Sequence, residues 1–462
     1  MASGSSSAVE QLRGRVKGSV WTAADSGYDT ARSTWNLSVQ QHPSVIVAAS
    51  DVQDVVEAVR FAREQDLGIA IQATGHGAAR PADDSILILT REMNRVTIDP
   101  NAQTAHIEAG VKWGKVLELA QAHGLAPLLG SSPLVGAVGY TLGGGMGWLG
   151  RKYGLAVDSV VRFEVVTAQG DVLTVSEQEH PDLFWALRGG GGANYALVTS
   201  MDVRLYPVTQ VYAGNLLYPA SMAREVFQRY REWINDLPDE MTSSVLVINY
   251  PPFEAVPEPI RGKSFAIVRG CYAGDLEAGK ALVDSWREWR APALDAFGPI
   301  PFSAATSISQ DPEGPLPGFN TGMYVADLSD DVIDAILESG LPQGGPPTFI
   351  FAEVRNSGGA ISRVPRESTA LSHRDQTLNL YVVGMTPTAE AFQAADRKSE
   401  ALWAKISSHL PGSAFTNFND GPKQVQRVNN FFEVDKFARL QAIKTTYDPD
   451  NRLHYGFGVP RQ

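Results

Sequence analysis

The sequence contains a single cysteine, Cys271, among 462 residues. One thiol cannot form an internal disulfide, a thiolate zinc site or an iron–sulfur cluster, so the sequence excludes these features, and we expect no metal centre. So little cysteine is typical of proteins from a reducing compartment, and we expect a cytoplasmic location.

An excess of positive charge and long apolar runs are also lacking. Lysine and arginine total 39 against 51 aspartate and glutamate residues, a net charge of −12. This balance argues against nucleic acid or an anionic membrane surface as a partner. No apolar run approaches the roughly 18 residues that a membrane-spanning helix needs. Residues 1–7 are small and polar, and they predict a disordered leader rather than a signal peptide.

The order of apolar segments predicts three parts. Residues 1–208 alternate short β-branched strands, at 45–47, 69–71 and 86–89, with an amphipathic helix from 52 that Ser50 could cap. Residues 209–414 alternate longer strands with helices and predict an α+β unit with a large antiparallel sheet. Residues 415–462 form a C-terminal segment with a motif of its own.

Glycine is abundant, with 43 residues, and ten of them fall between 124 and 154 in a segment expected to be a loop. Glycine allows a backbone to approach a ligand closely, so this segment favours a wall against a large flat molecule. Interleaved apolar residues, such as Val138 and Leu142, disfavour a flexible linker. Residues 145–150 match G-x-G-x-x-G, but no strand leads directly into them, so a nicotinamide-binding Rossmann turn is a weak alternative.

A second loop follows the predicted strand at 69–71 and carries a histidine. It is Ala73-Thr74-Gly75-His76-Gly77, whose successive backbone N–H groups could bind an anion such as a pyrophosphate. A lone histidine is as often a buried structural residue as a ligand. His76 is therefore a candidate for a ligand or a covalent link.

These segments resemble the berberine-bridge-enzyme-like branch of the vanillyl-alcohol-oxidase fold. Residues 74–76 resemble the end of the family's R-x-G-G-H loop, and residues 133–147 are similar to its P-T-V-G-x-G-G-x-x-x-G-G-G-x-G segment. Residues 152–158 match the K-Y-G-L-A-x-D of bacterial members, and residues 182–190 resemble D-L-F-W-A-L-R-G-G. Residues 447–451 resemble Y-D-P-x-N, and residues 373–375 match an H-R-D that enters a strand of the substrate domain.

The resemblance implies an α+β, two-domain fold. Its parts are an FAD-binding domain at 1–208 made of two α/β subdomains, a substrate-binding domain at 209–414, and a tail at 415–462 that returns to the first domain. It also implies FAD bonded covalently to His76. We predict that the cofactor contacts Ala73, Thr74, Gly75, His76, Gly77, Ser131, Ser132, Pro133, Val135, Gly136, Gly139, Tyr140, Gly143, Gly144, Gly147, Trp148, Val198 and Tyr455.

The departures from the family pattern predict how this chain differs. Bicovalent members have a cysteine where this chain has Ser132, so only the histidyl bond is expected. The usual tyrosine of Y-x-N-F is replaced by Phe415, which cannot accept a proton, and the polar residues near the end are replaced by Gly456-Phe457-Gly458. These changes predict a more apolar pocket without the family's usual base.

The resemblance implies hydride transfer from a substrate C–H bond to flavin, with oxygen as the acceptor. Strand alternation places Asn379 and Tyr381 on one face, and Tyr381 could act as a base if a cationic or flavin neighbour lowered its pKa. A half-buried structural tyrosine with a satisfied hydroxyl is an equal alternative. Asn417 and Tyr455 are further candidates for the catalytic site. The alternative is a flavoprotein cyclase or isomerase with little net redox turnover. The predicted partners are a small, rather apolar molecule and oxygen, and the predicted assembly is a monomer or homodimer.

Overall fold

The computed structural model describes residues 6–462. Residues 1–5 of the expected leader lie outside the described residues, whereas Ser6 and Ser7 begin the first helix instead of belonging to the leader. Up to residue 208 the strands are β1 (Val20–Trp21), β2 (Val45–Ala48), β3 (Gly68–Gln72), β4 (Ser85–Leu89), β5 (Val96–Asp99), β6 (Thr104–Glu108), β7 (Val160–Val166), β8 (Val172–Val175) and β9 (Leu197–Arg204). The helices are α1 (Ser6–Arg15), α2 (Tyr28–Ala31), α3 (Val52–Glu64), α4 (Trp113–Gln121), α5 (Ala137–Leu142), α6 (Gly150–Tyr153) and α7 (Pro181–Leu187).

Two sheets organise these elements. The first has the order β1-β2-β4-β3, with β2, β4 and β3 parallel and β1 antiparallel at the edge. Every residue of β2 and β4 is buried, as expected for parallel strands covered on both faces. The second sheet is antiparallel, with the order β5-β6-β9-β7-β8. The strands predicted from short apolar runs are confirmed.

Two local predictions in this part were wrong. The Asp51 side chain, not that of Ser50, caps α3 by accepting a hydrogen bond from the Asp54 N–H. The backbone N–H of Ser50 instead donates to the Asp54 carboxylate at 2.9 Å. The glycine-rich segment is also not entirely loop, because α5 and α6 lie within it.

The third sheet is antiparallel and has eight strands. They are β10 (Gln210–Pro219), β11 (Met241–Asn249), β12 (Ser264–Tyr272), β13 (Leu294–Asp295), β14 (Gly298–Pro301), β15 (Gly318–Val325), β16 (Phe351–Asn356) and β17 (Leu378–Met385), in the order β13-β10-β12-β11-β16-β17-β15 with β14 also on β10. The helices of this part are α8 (Ala223–Trp233), α9 (Leu276–Trp289), α10 (Asp330–Gly340), α11 (Ala360–Arg363) and α12 (Ala389–Lys405).

One face of this sheet packs against helices, and the opposite face is polar at its centre. Leu378, Leu380 and Val382 of β17 belong to the core shared with α8, α10 and α12. Their neighbours Asn379 and Tyr381 therefore point to the opposite face, as the alternation predicted. The expected α+β class with a large antiparallel sheet is confirmed. The division at residues 208 and 414 stays a proposal, which the membership of the three sheets supports.

The last part of the chain returns to the first sheet through α13 (Gly421–Gln426), α14 (Val428–Phe431) and α15 (Val434–Tyr447). The Ile69 N–H of β3 donates to the Arg452 carbonyl at 2.8 Å. Lys444 and Asp448, both fully buried, form an ion pair at 2.5 Å, and the Lys444 ammonium also donates to the Leu453 carbonyl. This pair holds the turn at residues 448–453 against β3.

Candidate active site

A cleft of about 390 Å³ opens where the first sheet, the glycine-rich segment and the large sheet meet. Its walls come from residues 70–82 after β3, from residues 130–146, from 191–193, from Asn320 and Arg355 of the large sheet, and from 416–420 and 455–457 near the end of the chain. The loop at 73–78 follows the carboxyl end of a parallel strand, where open α/β sheets bind their ligands.

The glycines of the wall act in two ways. A Cβ added at Gly77 or Gly139 would meet no atom within 4 Å, so these positions leave open space in the cleft. A Cβ at Gly147 would lie 1.8 Å from the Leu129 carbonyl oxygen, so that glycine is required for backbone packing. The glycine-rich segment therefore forms part of the cleft wall, but only some of its glycines border the open space.

His76 lies in the cleft with one ring nitrogen partnered and the other buried without a partner. Its Nδ1 is 2.8 Å from the Thr74 hydroxyl, and its ring stacks on Trp35 with 4.3 Å between the centroids. Its Nε2 is buried and has no hydrogen-bond partner. Burial lowers the pKa of His76 to about 4, and the Lys112 charge acts in the same direction. The imidazole is therefore neutral at physiological pH, and its Nε2 is left without a hydrogen-bond partner.

Ser132 stands where the sequence resemblance implied a cysteine in bicovalent members of the family. It lies in the cleft, and its hydroxyl accepts a hydrogen bond from the Leu134 N–H at 3.3 Å. Cys271 is buried in β12, where burial raises the pKa of its thiol. A hydroxyl at 132 and a buried thiol elsewhere leave His76 as the candidate attachment point.

The predicted catalytic tyrosine is part of a buried charged cluster on the large sheet. The Tyr381 hydroxyl donates to Glu353 Oε2, and the Ser244 hydroxyl donates to Glu353 Oε1 at 2.5 Å. Arg355 Nε and Arg269 Nη1 lie 3.5 and 3.8 Å from the same Oε1. Glu353 is fully buried.

The pKa values of Tyr381 and Glu353 shift in opposite directions. Burial raises the pKa of Tyr381 well above 10, and Glu353 adds to this effect although Arg355 opposes it. The expected lowering by a cation is therefore outweighed. Burial also acts to raise the pKa of Glu353, but Arg355 and Arg269 hold it below its usual value. Tyr381 is a neutral donor and Glu353 an ionised acceptor.

Of the other three predicted catalytic residues, Asn417 and Tyr455 have backbone partners, whereas the side-chain amide of Asn379 is buried without one. Asn417 accepts from the Gly145 N–H at 3.0 Å and donates to the Tyr140 carbonyl at 3.1 Å, so it ties the short 3₁₀ turn Thr416–Phe418 to the glycine wall. Tyr455 donates to the Asp83 carbonyl at 2.8 Å and lines the cleft. Phe415 is buried beside Leu371 and Met146.

The structure brings most of the predicted cofactor contacts together. Those that line the cleft are Ala73, Thr74, Gly75, His76, Gly77, Ser131, Ser132, Val135, Gly136, Gly139, Tyr140, Gly143, Val198 and Tyr455. Pro133, Gly144, Gly147 and Trp148 lie behind this surface rather than on it, and Trp148 supports the Arg355 guanidinium with its ring 5.5 Å away. Asn379 and Tyr381 also lie beneath the cleft surface.

Sequence reasoning missed several residues of the site. Trp35 stacks on His76, Phe418 lies between the cleft and Tyr381, and Asp420 is a carboxyl group in the cleft wall. Burial raises the pKa of Asp420 to about 7. Glu353 and Arg355 carried a usable signal, because two charges at alternate positions of an otherwise apolar run mark a strand with one polar face.

The residues of the cleft fit an FAD. The unpartnered His76 nitrogen, the open space at Gly139 and the loop at 73–77 match a flat ring system bound beside an imidazole. Together with the large antiparallel sheet facing the cleft, they define a flavin-dependent oxidoreductase with the vanillyl-alcohol-oxidase fold.

The comparisons with known proteins identify the family. Residues 43–176 match the family model described as FAD binding domain, and residues 414–460 match the model described as berberine and berberine like. The chain therefore carries an FAD-binding domain and a berberine-like segment, as FAD-linked oxidoreductases do.

Its relatives include an uncharacterized FAD-linked oxidoreductase of Bacillus subtilis, 29% identical over 96% of this chain and 97% of the relative. The (R)-6-hydroxynicotine oxidase of Paenarthrobacter nicotinovorans is 28% identical over 96% of this chain and 97% of its own. The crystal structure of 6-hydroxy-D-nicotine oxidase from Arthrobacter nicotinovorans superposes with a TM-score of 0.84 at 25% identity, covering 96% of this chain and 98% of that one. No helix among residues 6–462 is long and apolar enough to cross a membrane.

Proposed function

We propose that this chain is an oxidase. It would take a hydride from a C–OH or C–N carbon of a small, rather apolar molecule and pass the electrons to oxygen. FAD would be held by one covalent bond from His76. The observation that carries the proposal is the neutral, half-partnered imidazole of His76 in a glycine-walled cleft, opposite a sheet that carries the hydrogen-bonded pair of Tyr381 and Glu353. The flavin supplies the hydride acceptor, and the chain supplies position and proton transfer.

His76 is suited to the covalent link because its ring is oriented before the bond forms. Thr74 fixes one nitrogen and Trp35 fixes the ring plane. His76 would supply the ring nitrogen for the bond and give up one proton on attachment, and the bound flavin with oxygen would supply the oxidation that the attachment requires. The bond keeps the cofactor in one orientation against the large sheet, and orientation is a large part of the rate enhancement.

The proton acceptor is proposed to be Tyr381 acting with Glu353. A tyrosine whose own proton already points at a carboxylate can accept a substrate proton on oxygen while its original proton moves to Glu353. Glu353 is prepared for this role because two arginines keep it ionised in a buried site. Phe418, whose ring stacks on Tyr381 at 4.5 Å, has to turn aside for the substrate to reach the hydroxyl.

The covalent link is tested on the purified holoprotein. After acid denaturation and gel electrophoresis, flavin fluorescence should migrate with the wild-type chain and with Ser132→Ala, and should be lost from His76→Ala. Release of all flavin from the wild-type chain would contradict the His76 assignment. Retention of flavin by His76→Ala would place the bond elsewhere.

The oxidase activity is tested separately. The holoprotein is photoreduced without oxygen and mixed with aerated buffer, and reoxidation should be complete within seconds. A reduced flavin that persists for minutes in air would contradict oxidase function and favour a cyclase or isomerase. Hydrogen peroxide release across a substrate panel then identifies the substrate. A monomer or homodimer in the cytoplasm remains our expectation for the assembly and location.

A further inference from the structure

Two arginines lie on the face of the large sheet that points to the cleft, on strands separated by one other strand. Arg269 of β12 is opposite Ser244 of β11, and Ser244 is opposite Arg355 of β16. Directly opposite residues of antiparallel strands point to the same face, so both guanidinium groups share it. Only Arg355 reaches the cleft wall.

Arg269 and Arg355 carry two positive charges but have only one carboxylate within ion-pair distance among the described residues. Glu353 is the only carboxylate within ion-pair distance of either arginine among the described residues, and it serves both at 3.5 and 3.8 Å. Its oxygens already accept hydrogen bonds from the Ser244 and Tyr381 hydroxyls. Neither Arg355 Nε nor Arg269 Nε has a hydrogen-bond partner.

Other carboxyl groups face this region at longer range. Asp311, on the loop before β15, acts electrostatically on Arg355 without forming an ion pair with it in the described part of the chain. Asp420 also lines the cleft, and its raised pKa, about 7, leaves it half neutral near physiological pH. These groups reduce the excess of positive charge but do not bind the Arg355 fork.

Aromatic rings enclose the Arg355 guanidinium and keep water away from it. The Arg355 Cζ atom lies 5.0 Å from the Phe418 ring centroid, 5.4 Å from that of Tyr381 and 5.5 Å from that of Trp148. The residue is 9% exposed. Ring faces attract a cation but accept few of its five N–H donors, and a buried charge is costly until it is paired. An anionic group in the cleft would complete its hydrogen bonding.

We propose that the substrate is an organic acid, an apolar molecule whose carboxylate binds to the Arg355 guanidinium, with Arg269 adding charge from behind. The inference rests on the proposed function and gives it a substrate class. The apolar part of the molecule fits beside Met146 and Phe418, which line the same cleft. A carboxylate suits this position because it matches the planar guanidinium fork with two parallel hydrogen bonds.

The test compares acids with uncharged amides of the same shape. Benzoate, 3-phenylpropionate and 5-phenylvalerate are each titrated into the holoprotein beside the corresponding amide, and dissociation constants are measured by calorimetry. We expect at least one acid to bind ten or more times more tightly than its amide, as for hydrogen bonds to a buried charge. Arg355→Met should abolish the preference by weakening the acid alone, Arg355→Lys should retain part of it, and Arg224→Met, at an exposed arginine, should change nothing.

Equal binding of acid and amide in all three pairs would overturn the inference. So would an unchanged preference in Arg355→Met or, if that variant does not fold, in Arg355→Lys. If Arg355 serves the flavin instead, the variants will lose flavin or alter its absorption spectrum while the acid preference stays, which also overturns it. Failure of the proposed oxidase would show differently, as acids that bind preferentially but never reduce the flavin.

Discussion

Arg374 and Asp158 form a buried bridge between the large-sheet part of the chain and the glycine wall, and breaking it should destabilise both. The pair is bidentate, at 2.6 and 3.1 Å, with side chains only 6% and 10% exposed. Asp158 also accepts from the Leu155 N–H at 2.9 Å. The turn it holds donates from Ala156 and Val157 to the carbonyls of Gly145 and Gly144.

Removing one partner leaves a buried charge without compensation, which costs about 3–5 kcal/mol. We therefore expect Arg374→Met to lower the free energy of unfolding in urea by about that amount and to reduce flavin retention. A matched control is Arg363→Met, whose ion pair with Asp239 is exposed and is worth at most about 1 kcal/mol.

A double-mutant cycle with Asp158→Asn isolates the pair. The two single changes should be non-additive by about 1–3 kcal/mol, because the second change removes a charge that the first has already stranded. Unfolding is followed by far-UV ellipticity and by flavin fluorescence with an unchanged urea slope. A loss below about 1 kcal/mol in Arg374→Met, equal to that of the surface control, would refute the reasoning.

Three further outcomes are expected. Gly139→Leu should prevent flavin binding, measured as the flavin-to-protein absorbance ratio, because its side chain enters the open cleft. Gly314→Leu is the control, since its side chain also meets no atom within 4 Å, and it should not change flavin binding. Equal flavin content in the two variants would contradict the proposal that flavin lies against Gly139. Tyr381→Phe should lower kcat about 100-fold, because Glu353 can then no longer receive a proton through the hydroxyl, and an unchanged kcat would exclude the hydroxyl. In protein prepared without flavin, the pKa of His76 is about 4 in the folded state and about 6.5 in the unfolded state. Between these two pH values the unfolded chain therefore binds more protons than the folded one. The free energy of unfolding, measured by urea titrations, should therefore fall as pH drops from about 6.5 to about 4. His76→Gln should make this free energy less dependent on pH. The same pH dependence in both proteins would contradict the burial of the imidazole.

The sequence predicted the parts of the site that depend on local backbone. The loop around His76 and the glycine wall at Gly139 follow from short-range chemistry, and alternation correctly put Tyr381 on the polar face of β17. Strands β2 and β4 of the first sheet were predictable because fully buried parallel strands consist of continuous apolar residues, whereas the short edge strand β1 was not predicted.

The missed features depend on pairing between distant segments. Glu353 reaches Tyr381 only because β16 pairs with β17, and Arg269 reaches the cluster only through β11. Trp35 comes from a segment without periodicity, so its stacking on His76 has no sequence signal. The sign of the Tyr381 pKa shift was also wrong beforehand, since it depends on burial and on a carboxylate whose position only the sheet register defines.

The cleft wall combines residues 70–82 with residues 455–457, and this has a consequence for biosynthesis. A ribosome makes the histidine loop about 380 residues before residues 455–457, so the nascent chain carries an incomplete cleft until that later segment has emerged. A cofactor held by the whole wall would therefore bind only after Phe457 has left the ribosome.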